Sequence, residues 1–237
     1  MKKITTVLFD LDGTLIRMDQ DKFIELYFKS ILAKLASLGY DAALMYKALE
    51  ESVRATIRND GTLLNEERFW STFLEYAPGV RDAVKEVLDE YYAIDFTDVI
   101  KSTCEGFSRA KEIVELARSC GKRVILATNP LFPMIATVAR MALSGLTPDD
   151  FDYVTAYENS SACKPNPLYF TELLDKLGIA AEECVMVGND TRDDFSAHAL
   201  GIPVFVLTEC LINTTGVDLC VYPHGSFDEL RSYIESL

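Results

Sequence analysis

The sequence has few of the residues that build zinc sites and disulfide frameworks. Only two of its 237 residues are histidines, and no two of its six cysteines stand at the C-x-x-C spacing. A zinc site and a disulfide-stabilised fold are therefore both disfavoured. We expect six free thiols, which is typical of a protein from a reducing compartment.

Basic residues are also scarce, with 23 Lys and Arg against 37 Asp and Glu, a formal net charge of -14. Such a chain repels nucleic acid backbones and anionic membrane surfaces, so neither is expected as a partner. An anionic small molecule still fits, because lysine, backbone N–H groups and a metal can reverse the field in one pocket. The longest uncharged apolar stretch, residues 124–139, contains Asn129, Pro130 and Pro133. It does not read as a membrane span, and we expect a cytoplasmic protein.

The hydrophobic pattern changes twice along the chain. Residues 4–9 end in an apolar run typical of a buried strand. Residues 19–98 instead have helical spacing, as at Phe23, Tyr27 and Ile31. After residue 107 strands alternate with helices, which favours a parallel sheet covered on both faces.

These patterns predict an α/β fold with a doubly wound, Rossmann-like parallel-sheet core and an inserted all-helical cap domain. The core comprises residues 1–16 and 99–237, and the cap comprises residues 17–98. Within the cap, Trp70 is expected to pack with Phe69 and Phe73 in the interior of the helical bundle.

Polar side chains follow several of the predicted strands at the point where each strand ends. Ligands bind outside the carboxyl ends of the strands in sheets of this kind, so these residues are candidates for one site. Two aspartates at the end of an apolar strand would be costly to bury without a cation or hydrogen-bond donors. The candidates are Asp10 and Asp12, Thr128 and Asn129, Asn189 and Asp190, and Lys164 in a loop.

The segments that carry these residues resemble, in order, the four motifs of the haloacid dehalogenase-like hydrolase superfamily. FDLDGTL at 9–15 resembles the first motif, and Thr128 in ILATN resembles the second. Lys164 in CKPNP resembles the third, and VGNDTRDD at 187–194 resembles the fourth, an acidic metal-binding loop. The resemblance spans nearly the whole chain, and the helical insert is similar to the cap of the phosphoglycolate phosphatase-like branch.

The resemblance implies a magnesium-dependent phosphatase that hydrolyses a small phosphorylated metabolite through a phospho-aspartate intermediate. Asp10 would be the nucleophile, and Asp12 would act first as general acid and then as general base. The Thr128 hydroxyl and the Asn129 N–H would donate to phosphoryl oxygens. Lys164 would offset negative charge on the phosphoryl group and on Asp10.

The resemblance also implies a Mg²⁺ site formed by Asp10, Asp12, Asp190 and Asp194, with Asp12 contributing its backbone carbonyl. Many relatives have aspartate directly after the glycine of the fourth motif, where this chain has Asn189. We therefore favour Asp190 as the ligand, with Asp194 either a direct ligand or a supporting residue and Asn189 as a substitute. Asp193 is expected to cap the following helix.

Several alternatives stay open from the sequence alone. A dehalogenase is disfavoured because Asp12 is present, but a phosphomutase, or a non-catalytic binding or regulatory protein, could use the same core. The substrate is not defined. Arg54, Arg58 and Arg68 are candidates for contacting its distal end, although solvated helix faces are the simpler expectation for all three. The chain is expected to act as a monomer or a homodimer.

Overall fold

The structure, a computed structural model that describes residues 3–237, is built from short strands and nine α-helices within that range. The strands are β1 (Thr6–Phe9), β2 (Ile16–Met18), β3 (Cys104–Gly106), β4 (Arg123–Leu126), β5 (Tyr153–Val154), β6 (Cys184–Gly188), β7 (Val204–Leu207) and β8 (His224–Gly225). The helices are α1 (Gln20–Ser37), α2 (Ala42–Ile57), α3 (Asn65–Tyr76), α4 (Arg81–Ala93), α5 (Phe96–Thr103), α6 (Ala110–Ser119), α7 (Met134–Met141), α8 (Leu168–Leu177) and α9 (Phe227–Ser236).

Six strands form one parallel sheet in the order β5-β4-β1-β6-β7-β8. The strand β1 lies at its centre, where Phe9 is in register with Leu126 of β4 and Val187 of β6. The carboxyl ends of three neighbouring strands therefore lie side by side. This sheet confirms the predicted α/β fold with parallel strands and helices on both faces.

The alternation of side chains along β1 explains why the sheet is covered on both faces. All four residues of β1 are buried. Val7 and Phe9 pack into a hydrophobic cluster with α6 and α9, whereas Leu8 faces a second cluster that contains residues of α8. Successive residues of a strand point to opposite faces, so an unbroken apolar run is needed when both faces are covered. Burial of each large apolar side chain contributes roughly 1.5–3 kcal/mol.

The helices α1 to α5, called here the helical segment (residues 20–103), share one hydrophobic cluster, which also includes Ala136 of α7. Phe23, Tyr27 and Ile31 enter it from successive turns of α1. Trp70 and Phe73 of α3 are buried in the same cluster, which confirms their predicted place in the interior of the bundle.

The chain enters and leaves the helical segment through a small antiparallel sheet. Ile16 of β2 pairs with Gly106 of β3, and Met18 pairs with Cys104, so the two connections lie next to each other. The helix α5 runs across the boundary expected between residues 98 and 99. The last turn of helix before β3 thus belongs to the expected core in sequence but continues the helical segment in structure.

Two further observations bear on composition. No helix within residues 3–237 is long and apolar enough to cross a membrane. All six cysteines are free, as expected from their scattered positions.

Candidate active site

The loops after β1, β4 and β6 enclose a cavity of about 1180 Å³ between the sheet and the helical segment. It lies at the carboxyl ends of the strands, where the sequence predicts a site. Every residue proposed from the four motifs for catalysis, phosphoryl binding or metal binding lines this cavity: Asp10, Asp12, Thr128, Asn129, Lys164, Asp190 and Asp194, together with Asn189.

Lys164 occupies the floor of the cavity between two carboxylates. Its Nζ donates to Asp10 Oδ1 at 3.0 Å and to Asp194 Oδ1 at 2.8 Å, and the side chain is only 1% exposed. Burial alone would lower the pKa of this amine, but the charges of Asp10 and Asp194 outweigh that effect and raise it. The lysine therefore stays charged and links the first motif to the fourth.

Asp10 follows β1 directly and is largely buried. Its backbone N–H donates to the Val187 carbonyl at 2.9 Å, and its Oδ2 accepts from the Thr14 hydroxyl at 3.3 Å. Burial raises the pKa of the carboxyl from 3.8 to about 7; the charge of Lys164 opposes this rise, and Asp194 and Asp12 add to it. A carboxylate in such surroundings is stabilised by any further cation that binds beside it.

Asp12 is held by Arg140, a residue that the sequence analysis did not single out. Arg140 Nη1 donates to Asp12 Oδ2 at 2.6 Å. Burial raises the pKa of the Asp12 carboxyl, while the charges of Arg140 and Lys164 act to lower it. Arg140 lies in the last turn of α7, on the same buried face as Ala136 and Thr137. The sequence does carry a signal for this residue: Arg140 is charged, but the helical period places it on the buried, apolar face of the helix.

The side chain of Asn129 braces two loops of the site against each other. Its Nδ2 donates to the Lys164 carbonyl at 3.3 Å and to Asp193 Oδ2 at 3.2 Å, and its Oδ1 accepts from the Lys164 N–H at 3.2 Å. Asp193 does occupy the position before the 3₁₀ helix Asp194–Leu200, but its side chain makes no capping hydrogen bond there. The prediction that the Asp193 side chain caps this helix is therefore wrong, because its carboxylate accepts a hydrogen bond from Asn129 instead.

Thr128 lies at the end of β4 in a loop that is fixed from behind. Its carbonyl accepts from the hydroxyls of Thr155 at 2.7 Å and Tyr169 at 3.0 Å. The residue is buried and lines the cavity. Two hydrogen bonds therefore fix the backbone of Thr128, the residue whose hydroxyl is expected to donate to the phosphoryl group.

Asn189 is buried against the first motif. Its Oδ1 accepts from the Thr14 hydroxyl at 3.0 Å, and its Nδ2 donates to the Cys210 carbonyl at 2.7 Å. Gly13 approaches it so closely that a Cβ there would lie 2.2 Å from Asn189 Nδ2, and Gly13 also has a φ of 88°. Only glycine fits at this position. The Asn189 amide thus has two polar partners, a hydroxyl and a backbone carbonyl.

The two carboxylates of the fourth motif differ in how many of their oxygens are engaged. Asp194 accepts from Lys164 with Oδ1 and from the Asp190 N–H with Oδ2, at 2.8 and 3.0 Å. Asp190 accepts from the N–H groups of Arg192 and Asp193 through Oδ1, at 2.7 and 3.2 Å. Asp194 therefore has one oxygen on Lys164 and one on the loop, whereas Asp190 bonds the loop through a single oxygen.

A family model described as haloacid dehalogenase-like hydrolase matches residues 4–201. The chain belongs to the haloacid dehalogenase-like hydrolase family. The match covers all four segments that carry the site.

Several proteins with a related sequence or a related fold are phosphatases by name. The phosphoglycolate phosphatase of Yersinia pestis is 29% identical over 207 residues, which are 87% of this chain and 82% of that protein. The ribulose-1,5-bisphosphate 5-phosphatase of Halopiger xanaduensis is 29% identical over 209 residues, 84% of this chain and 82% of that protein. A crystal structure of a predicted phosphoglycolate phosphatase from Haemophilus somnus has the same fold, with a TM-score of 0.59 at 20% identity, covering 98% of this chain and 99% of that one.

The donor set of this haloacid dehalogenase-like hydrolase suits a small, hard cation. Asp10, Asp12 and Asp190, which carry carboxylate and backbone carbonyl oxygens, line one cavity. Within residues 3–237 no three His, Cys, Asp or Glu side chains lie close enough to form a metal site by themselves. Mg²⁺ does not need three, because it is commonly held by one or two carboxylates with waters and substrate phosphate. The residues present therefore fit that ion.

The three arginines considered for the distal end of the substrate are not brought to this site. In the part of the chain that the structure describes, Arg54, Arg58 and Arg68 do not line the cavity. Arg54 pairs with Glu50 and Arg68 pairs with Asp60 on the helical segment, at 3.4 and 3.3 Å. The simpler expectation, solvated helix faces, fits their positions.

Proposed function

We propose that this hydrolase is a magnesium-dependent phosphatase that releases phosphate from a small phosphorylated metabolite through a phospho-aspartate on Asp10. The observation that carries the proposal is the buried Lys164 between Asp10 and Asp194, with Asp12 on the same cavity. A fixed cation beside one carboxylate, with a second carboxylate nearby, suits attack on a phosphate ester.

In the first step, an Asp10 carboxylate oxygen attacks phosphorus and the bond to the ester oxygen breaks. The ester oxygen takes a proton from Asp12 and leaves as an alcohol. Lys164 offsets the charge that Asp10 and the phosphoryl oxygens bring together. The Thr128 hydroxyl and the Asn129 N–H donate to those oxygens.

In the second step, water attacks the phosphorus of phospho-Asp10 and gives a proton to Asp12. The bond to the Asp10 oxygen breaks, and inorganic phosphate and the starting carboxylate are released. Asp10, the Asp12 carbonyl and Asp190 would hold Mg²⁺, with Asp194 ordering their loop. When bound, the ion would neutralise charge on the phosphoryl oxygens.

The helical segment supports the proposal as a cap over the site. We assign the helical segment, residues 20–103, to this cap and the rest of the described chain to the catalytic core; the boundary expected from the sequence, between residues 98 and 99, falls inside α5. The cap has a hydrophobic cluster that extends to Ala136 of α7, and it is joined to the core through the paired strands β2 and β3. Such caps exclude water during reaction and open to release product.

The wall that the helical segment contributes to the cavity is largely apolar and aromatic. It includes Phe23, Tyr27, Phe69, Trp70, Leu88 and Tyr92. Lys164 and Arg140, the buried cations of the cavity, are each paired with carboxylates. The other basic residues that line it are exposed: Arg17, Lys101 and Arg192.

A second anionic group on the substrate would therefore meet this wall without a buried counter-charge, which is unfavourable. We take the preferred substrate to be a phosphate monoester with an uncharged organic group. The proposal includes a cytoplasmic location, because free cysteines are typical of a reducing compartment.

The test is release of inorganic phosphate from an aryl phosphate, with Mg²⁺ and with EDTA. Wild-type protein should turn over only with Mg²⁺, and Asp10→Asn should lose about three orders of magnitude or more in turnover. Asp175→Asn, the same substitution at an exposed position of α8, is the matched control and should retain activity. Normal turnover by folded Asp10→Asn would overturn the mechanism, and no turnover by wild type would favour a binding protein.

A further inference from the structure

Arg140 is a buried cation for which the two steps above have no role. It is 1% exposed, and burying a guanidinium is costly unless a carboxylate compensates its charge. Its carboxylate partner is Asp12, with Nη1 and Oδ2 2.6 Å apart. The contact of Nη2 with the Thr137 hydroxyl is longer, 3.4 Å, and stays within α7. The ion pair with Asp12 is thus the main polar contact of the buried side chain.

The guanidinium is also fixed from its other side. It lies over the Phe132 ring, with 4.8 Å between the guanidinium carbon and the ring centroid. Phe132 in turn packs against Phe23 and Tyr27 of α1, with centroids 5.7 and 5.4 Å apart. A guanidinium held over an aromatic ring is pre-organised for a carboxylate in a way that a lysine ammonium cannot reproduce. The aromatic cluster of the helical segment thereby holds Arg140 against Asp12.

The ion pair engages one Asp12 oxygen and leaves the other without a polar partner. Oδ2 accepts from Arg140, whereas the buried Oδ1 has no hydrogen-bond partner within residues 3–237. We propose that Arg140 is a positioning residue that orients the Asp12 carboxyl for proton transfer to the leaving oxygen. This inference rests on the proposed phosphatase function, in which Asp12 is the general acid.

Loss of a residue that positions a general acid should depend on the leaving group, whereas loss of a purely structural residue should not. A nitrophenolate leaves readily without a proton, but an alkoxide needs one from a general acid, which contributes about 10²–10⁴-fold. Loss of Arg140 should therefore lower the rate of hydrolysis of alkyl phosphates more than that of aryl phosphates. The parameter to compare is kcat/KM, because it covers the steps up to formation of the phosphoenzyme.

The experiment measures kcat/KM for Arg140→Met with 4-nitrophenyl, phenyl and alkyl phosphates. We expect a loss of at least about tenfold with the alkyl ester and less than about threefold with 4-nitrophenyl phosphate, as a fraction of the general-acid effect. Arg140→Lys keeps the charge but not the planar fork, so its loss should be smaller and equally selective. That variant provides the test if Arg140→Met does not fold, as judged by circular dichroism.

Two further variants control for indirect effects. Arg109→Met removes an arginine that is also 2.6 Å from a carboxylate, that of Asp228, but lies outside the cavity in the described structure. It should leave every kcat/KM unchanged. In an Asp12→Asn background, adding Arg140→Met should change the alkyl ester rate little, because both changes remove the same proton transfer.

Equal losses for all leaving groups in an active, folded Arg140 variant would overturn the inference. A rise in KM shared by every ester would instead assign Arg140 to phosphoryl binding and would also overturn it. A wild-type protein that hydrolyses none of the esters would overturn the proposed function, and the inference with it. The two failures are distinguishable by the wild-type activity alone.

Discussion

Burial of Asp10 makes the metal-free protein less stable as pH rises. The pKa of this carboxyl is raised from 3.8 to about 7, mainly by burial, so the folded protein keeps a proton that the unfolded chain has already lost. A pKa difference of about three between the folded and unfolded protein corresponds to a contribution of roughly 4 kcal/mol to the free energy of unfolding. This stabilisation is fully present below about pH 4 and is lost as pH rises through about 7.

Asp10→Asn removes the titration and keeps the 2.8 Å ion pair between Lys164 and Asp194. Between about pH 5 and pH 8, the free energy of unfolding of wild type should fall by roughly 3 kcal/mol more than that of the variant. The assay is urea unfolding in EDTA at both pH values, followed by circular dichroism. At the higher pH, Mg²⁺ should stabilise wild type more than the variant, because the ion binds only the folded site.

Other buried carboxyls with a raised pKa, namely Asp12, Asp193 and Glu158, are present in both proteins. The comparison between wild type and variant therefore reports on Asp10 together with the charges that interact with it. Asp175→Asn, at an exposed position, should show the same pH profile as wild type. Parallel profiles for wild type and Asp10→Asn would refute the reasoning, since they would mean that ionising Asp10 in the folded protein has no cost.

Two more predictions concern the substrate and the metal. Wild type should hydrolyse 2-hydroxyethyl phosphate with a kcat/KM about tenfold above that of phosphoglycolate, whose carboxylate would meet an apolar wall; a tenfold ratio corresponds to about 1.4 kcal/mol. Ile24 lies on the cavity wall and is 47% exposed, so Ile24→Lys should reduce the ratio of the two kcat/KM values. Leu44 is 43% exposed and lies outside the cavity, so Leu44→Lys should leave the ratio unchanged. A wild-type preference for phosphoglycolate would contradict the assignment of a substrate with an uncharged organic group. In Mg²⁺ titrations, Asp190→Ala should raise the half-saturating concentration most, Asp194→Ala less and Asn189→Ala least, because Mg²⁺ prefers charged oxygen ligands. Loss of Mg²⁺ dependence in Asn189→Ala alone, with Asp190→Ala silent, would place the ligand one residue earlier.

The strand ends could be predicted from the sequence because two local signals coincide there. An apolar run ending at Phe9 marks a strand buried on both faces, and Asp10, Asp12 and Gly13 mark the turn that follows. The parallel arrangement then places this turn beside the loops after β4 and β6. Convergence of the site at one edge of the sheet thus follows from the pattern alone.

The contacts inside the site could not be predicted in the same way. Lys164 bridges Asp10 and Asp194, which lie 154 and 30 residues away in the chain. Arg140 reaches Asp12 across 128 residues. Helical periodicity shows that position 140 faces inward, but only the fold shows which carboxylate pairs with the arginine.

Short elements also escaped the sequence patterns. The strands β2, β3 and β8 have two or three residues each, which is too few to show the alternation of apolar and polar residues that predicts a strand. The helix α5 continues through the expected domain boundary because Val99 and Ile100 extend the apolar face of the helical segment. The carboxylate of Asp193 contacts Asn129 rather than the helix that follows it, a tertiary contact that overrides a local preference.

The central claim is that the phosphoryl group passes through Asp10. It is tested most directly by acid quench during turnover of a phosphate ester with Mg²⁺, followed by borohydride reduction, which converts an aspartyl phosphate to homoserine. Peptide mass spectrometry should find homoserine at position 10 in wild type, and no such mark without substrate or in Asp10→Asn. Steady release of phosphate with Asp10 unmodified, or with the mark on another aspartate, would contradict the account.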